Sequence, residues 1–157
     1  MSVIKLTKEE MQLINKRRKE SRVLIKGLDD KYISIKTETS GLDSLALFKG
    51  KNKGELIRAV LTQNNLDMLA LYYRRYIEVY NLKKGEAKIS EAELNYIKDI
   101  RYKKIFEEMN KEELPIIFRF TDKGLYLEIK NKAKTNIQNI EFSTIQSIEF
   151  RKYLLGN

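Results

Sequence analysis

Two crowded sets of basic side chains hold most of the chemistry open to this chain. Lys16-Arg17-Arg18-Lys19, with Arg22 and Lys26 close behind, is the densest cluster, and Arg74, Arg75, Lys83 and Lys84 mark a second. Ammonium and guanidinium groups at such density suit a row of phosphates, because each contact neutralises a charge and releases a counterion. They equally suit a solvated helix end, where cations complement the dipole.

Two further patterns could do chemistry. Tyr72-Tyr73-Arg74-Arg75-Tyr76 resembles the aromatic platforms and phosphate-binding arginines of single-stranded nucleic-acid binders. On a helical wheel the tyrosines fall mostly on the packed face, leaving Arg74 and Arg75 as exposed charges. Asp122 with Glu128-Ile129-Lys130 has the acidic–x–Lys step of metal-dependent nucleases, in which carboxylates hold magnesium and a lysine stabilises developing charge. Strand alternation instead places Glu128 and Lys130 on a polar face, and that reading is preferred.

The chain has no histidine and no cysteine. Triads built on histidine, thiolate nucleophiles, disulfides and ordinary zinc sites are therefore excluded. No phosphate-cradling glycine loop, dinucleotide fingerprint or calcium loop is present. A non-catalytic protein without cofactor or metal is the expectation.

The formal net charge is +9, and it is unevenly spread. Residues 1–27 carry 8 basic and 3 acidic side chains, residues 51–88 carry 8 and 4, and residues 89–114 carry 5 and 7. Such an excess favours phosphate-bearing or acidic partners. The 157 residues suffice for one domain with a real core. Neither a leader nor a membrane-length apolar run is read, so a cytoplasmic location and no membrane partner are expected.

These residues need elements to position them. Thr7 is expected to cap a helix from Lys8, and RVLIK and KYISIK to form a hairpin over 22–37 around Gly27–Asp30. ELIRAVLTQ and the segment from Leu66 to Gly85 read as two helices joined near Asn64-Asn65. Ser90 and Glu93 form a capping-box pattern, with Ile89 and Leu94 as the staple, so a helix is predicted over 91–109, with a bend or contacts on two sides expected where its apolar positions drift after Ile100. Past Pro115 the period becomes two: Ile116, Phe118 and Phe120, then a turn at Thr121–Gly124, then Leu125, Leu127 and Ile129.

The chain closes on a near repeat, IQNIEF at 137–142 and IQSIEF at 145–150. Read as a helix, this stretch scatters its apolar residues around the cylinder. Read as two strands joined by Ser143–Ser147, it places Phe142 opposite Ile148 and Ile140 opposite Phe150, with Ile145 buried as a plug. A strand, a loop with one buried isoleucine and a second strand also recur in bacterial PH-like domains; this resemblance covers the last third of the chain and assigns no family.

The fold expected is α+β: a helical N-terminal and central part packed beside a mainly antiparallel C-terminal sheet. It forms a single domain over 1–157, divisible into a mainly helical 1–114 and a β-meander over 115–157. The function expected is binding of DNA or RNA backbone through Lys16, Arg17, Arg18, Lys19, Arg22, Arg74, Arg75, Lys83 and Lys84. The alternative is an adaptor or inhibitor, of the kind found in phages and mobile elements, docking on an acidic protein surface.

Overall fold

Alternation builds the first sheet. In the computed structural model, which describes residues 7–9, 12, 23–50, 54–80, 82–83, 86, 90–93, 95, 100–121 and 123–156, four strands form an antiparallel meander. They are β1 (Val23–Lys26), β2 (Tyr32–Thr37), β3 (Asp43–Phe48) and β4 (Glu55–Leu61). Ile25, Ile33, Leu47 and Ile57 make one cross-strand row, and Val23, Ile35, Leu45 and Ala59 the next. All but Val23 are buried, so these rows are the sheet's inner face.

The expected 22–37 hairpin is present as β1 and β2. The helix expected over ELIRAVLTQ is not: residues 55–61 are β4. Leu56, Ile57, Val60 and Leu61 satisfy helical spacing, but Ile57, Ala59 and Leu61 satisfy a period of two equally well. Pairing with β3 decides between them, because only the strand covers Leu45 and Leu47. The break also falls earlier than Asn64-Asn65. Thr62 caps α1 (Gln63–Val79): its hydroxyl accepts from the Asn65 N–H, and the Asn65 side chain accepts from the Thr62 N–H, each at 3.1 Å.

Thr7 precedes helical residues at 8, 9 and 12. Ser90 caps as expected, accepting from the Glu93 N–H at 3.3 Å, and residues 91–93 are helical. The helix predicted over 91–109 is interrupted, however. Ile100 has φ −128° and ψ −70° and lies 58 % exposed, so α2 (Arg101–Lys111) starts afresh beyond it.

The second sheet is a three-stranded antiparallel meander of β5 (Ile116–Thr121), β6 (Gly124–Lys130) and β7 (Ile137–Ser143). Ile116, Phe118 and Phe120 stand opposite Ile129, Leu127 and Leu125, as the alternation requires. Gly124 has φ +144°, and a Cβ there would collide with the Phe142 carbonyl oxygen, so glycine is obligatory at this turn.

The near repeat resolves differently from the expected pair of strands. Its first copy is β7, while its second lies in α3 (Thr144–Leu155). Ser143 ends the strand and caps the helix: its hydroxyl accepts from the Gln146 N–H at 3.2 Å, and Gln146 Oε1 accepts from the Ser143 N–H at 2.9 Å. Ile145 is no plug; it is 80 % exposed. The second strand of the PH-like resemblance is thus a helix.

The chain is therefore mixed α+β with two antiparallel sheets. The first sheet occupies part of the region expected to be mainly helical, and the C-terminal meander ends at Ser143 rather than at the chain end. Helices α1 and α3 close the core over the second sheet. The Tyr73 ring lies 5.1 Å from Phe118 and 6.5 Å from Phe150, and Tyr76 stacks on Phe120 at 4.2 Å. Several hydrogen bonds stitch the sheets and α3 together, Lys31 Nζ donating to the Asn139 carbonyl at 3.2 Å among them. Leu28 N–H donates to the Glu141 carbonyl (2.8 Å), Asn136 Nδ2 to the Leu56 carbonyl (3.0 Å) and the buried Tyr153 hydroxyl to the Asp43 carboxylate (2.7 Å).

Candidate nucleic-acid interface

Helix α1 sorts its tyrosines from its arginines. Tyr72, Tyr73 and Tyr76 are buried at 4 %, 0 % and 1 % exposure, as the helical wheel requires, so none offers a face for base stacking. Burial raises the Tyr73 hydroxyl above its ordinary pKa, with the Arg151 charge partly offsetting it. Arg74 and Arg75, expected as exposed charges, are instead half-buried on the flank of the helix.

Arg75 is already engaged. Its guanidinium grips both carboxylate oxygens of Glu108 on α2, with Arg75 37 % and Glu108 31 % exposed. This two-pronged geometry is the strong form of such a pair. The acidic 89–114 segment therefore lies against part of the second basic block. A phosphate at Arg75 would have to displace Glu108. Arg58, another cation of the 51–88 block, is held between two carboxylates, Nη1 on Glu38 (3.0 Å) and Nη2 on Glu55 (2.5 Å). The Ser44 hydroxyl does most to keep the Glu38 carboxyl below its ordinary pKa; burial, the next effect in size, opposes it, and the Lys36 and Arg58 charges each add a smaller lowering.

Lys83 is exposed, and its backbone is fixed from below. Arg151 of α3, 4 % exposed, donates from Nη1 to the carbonyls of Lys83 (3.1 Å) and Glu86 (3.4 Å). Burial lowers the Arg151 pKa, with Tyr73 acting in the opposite sense. The carbonyl dipoles compensate a charge that is costly to desolvate. The remaining nominated residues, Lys16, Arg17, Arg18, Lys19, Arg22 and Lys84, lie outside the described residues; of the first basic cluster only Lys26 is placed, at the end of β1 and 3.8 Å from the Asp30 carboxylate.

The nuclease-like step reads as a strand face. Lys130 Nζ lies 3.7 Å from the Glu128 carboxylate across one polar face of β6, and Asp122 lies outside the described residues. Among the described residues no group of three metal-ligating side chains occurs. No described helix is long and apolar enough to cross a membrane.

Sequence reasoning passed over two features. One is Arg151, placed next to Lys83 only by a helix that the repeat disguised. The other is a pair of lysine turns: Lys49, Lys51 and Lys53 between β3 and β4, and Lys130, Lys132 and Lys134 at the β6–β7 turn. The signal was present in the sequence as the same K-x-K-x-K spacing written twice. No protein family, characterised protein or solved structure matches the chain significantly.

Proposed function

We propose that the protein is a non-catalytic binder of nucleic-acid backbone. The observation that carries this reading is the kind of surface left once the tyrosines are buried. The chain carries 31 basic against 22 acidic side chains, a net charge of +9, and the α1 tyrosines, being buried, cannot serve as stacking platforms. Binding of that sort follows phosphates rather than base edges, so it shows little sequence preference and strong dependence on salt. Lys83, exposed on a backbone held by Arg151, and the basic residues at 16–22 are the cations that supply contacts. Arg75 contributes only where Glu108 gives way.

The test is binding to random DNA and RNA across a salt series. Affinity should fall linearly on a log–log plot, and replacing Arg17 and Arg18 by alanine should flatten the line by about one unit per lost phosphate contact.

The second reading is an adaptor docking on an acidic protein. Its support is that two cations of the 51–88 block, Arg58 and Arg75, are already paired with carboxylates, which weakens the case for a phosphate track there. The exposed aliphatic residues lend it little. Leu24 and Val60 share the other face of the first sheet but sit on its opposite edge strands, and Ser34, Ala46 and Ser44 between them are themselves buried. Capture of a single stoichiometric protein from the native host, with no nucleic-acid binding at low salt, would decide for the adaptor.

A further inference from the structure

The two lysine turns belong to one end of the β-structure. Lys49 directly follows Phe48, which stands opposite Glu55, and its N–H donates to the Gly54 carbonyl at 3.5 Å. One residue beyond Glu55, the Leu56 carbonyl accepts from Asn136 Nδ2 at 3.0 Å. Asn136 thus staples the β6–β7 turn to the start of β4, beside the β3–β4 turn.

The β6–β7 turn is also held from within. Asn131 N–H donates to the Asn136 carbonyl (3.2 Å), Lys134 N–H to the Asn131 carbonyl (3.0 Å) and Asn136 N–H to Asn131 Oδ1 (3.0 Å). Asn131 Nδ2 reaches the Thr135 hydroxyl at 3.0 Å, and Gln138 Nε2 reaches Asn136 Oδ1 at 2.9 Å. Lys134 takes a left-handed φ of +57° within this frame. Lysines on such a turn are presented from a backbone that does not have to be ordered on binding.

Their charges are poorly compensated. Lys49 and Lys132 are exposed, and among the described residues no carboxylate reaches either within ion-pair distance. Lys134 pairs with Glu113 at 3.4 Å, but the two side chains are 54 % and 71 % exposed, so the pair is weak and readily exchanged. Lys130 is the more committed, to Glu128. Residues 49–54 and 130–136 contain six lysines and no acidic residue; Lys51 and Lys53 lie outside the described residues.

We propose that Lys49 and Lys132, supported by Lys134, form a phosphate-contacting surface for nucleic-acid backbone at this end of the molecule, separate from the 74–84 block. This inference rests on the nucleic-acid reading above and adds a location to it. Neither turn carries an aromatic side chain or an arginine, the anchors that dominate protein–protein interfaces. Lysine acts as a point charge, which suits backbone recognition without readout of bases.

The experiment is anisotropy of labelled random DNA and RNA oligonucleotides with the full chain over a salt series. It compares the parent, a Lys49→Gln/Lys132→Gln variant, and a Lys103→Gln/Lys104→Gln control that removes equal charge from the exposed face of α2. Thermal melts confirm that each variant keeps its fold, as exposed lysines should allow. The turn variant should flatten the log–log slope by about two units, equivalent to on the order of 50-fold weaker binding near 0.1 M salt, while the control stays close to the parent. Equal losses in both variants would overturn the inference, since net charge alone would then account for binding. A parent that binds with an unchanged turn variant would also overturn it while leaving the nucleic-acid reading intact. A parent that binds neither DNA nor RNA at low salt would end both.

Discussion

IQNIEF and IQSIEF differ at one position, yet one is the edge strand β7 and the other lies within the helix α3. In the strand, Ile140 and Phe142 point inward and stand opposite Leu127 and Leu125 of β6. In the helix, Phe150 still reaches the core, but the burial around it follows a wider stripe that takes in Ser147, Arg151, Tyr153 and Leu154. The isoleucine that opens each copy is exposed, Ile137 at 52 % and Ile145 at 80 %. The same six letters thus satisfy a period of two or a turn of helix. What separates them is what stands beside each: a neighbouring strand for the first, a capping serine for the second.

The largest effect should come where both copies use the core. Phe142 and Phe150 are both fully buried. Phe142→Ala and Phe150→Ala should each cost about 3–5 kcal/mol, measured by denaturant unfolding with unchanged slope. A large loss for one and a negligible loss for the other would show that only one copy is anchored as described.

The copies meet at Ser143, which stands opposite Gly124. Gly124→Ala would drive a Cβ into the Phe142 carbonyl and the Ser143 backbone from a φ that L-residues avoid. It should destabilise by more than about 1 kcal/mol. Full stability in that variant would mean that the β6 turn and the strand–helix junction are not packed together. Ser143→Ala is gentler and touches only the helix. Losing the cap should cost about 1 kcal/mol and lower helical signal without disturbing β7.

How much of this was legible follows from how local each cause is. The β5–β6 hairpin could be read because its two strands are separated by a short turn and share one alternation. Ser90 could be read because its partner lies three residues away. The same S-x-x-Q logic was available at Ser143-Thr144-Ile145-Gln146, but the repeated hexad argued for a repeated strand and overrode it. Residues 55–61 carry both periods, so β3, not their own sequence, decides their state. The positions of Lys83 and of the β6–β7 turn rest on Arg151 and Asn136, whose partners are 68 and 80 residues away, and no local pattern announces such contacts. The charges of Arg74 and Arg75 were visible, but the pairing of Arg75 with Glu108 depends on how α2 packs against α1.

The smallest expected effect discriminates best between two strands and a strand followed by a helix. A strand–loop–strand reading buries Ile145, and Ile145→Asp would then place an unpaired charge in apolar surroundings at a cost of several kcal/mol. In the structure Ile145 lies on the solvent side of the first turn of α3, and that turn carries no acidic residue. An aspartate there loses no packing and faces the positive end of the helix dipole. Ile145→Asp should therefore leave the unfolding midpoint unchanged or raise stability by about 0.3–1 kcal/mol at low ionic strength. Added salt should erase any gain, because the interaction is exposed and screened. Acidification through the aspartate's own titration should erase it too. The group's folded pKa would be depressed, so its contribution is present above the unfolded value and lost as pH falls through the folded one. A collapse of stability in this variant would return the second hexad to the interior and make it a strand after all.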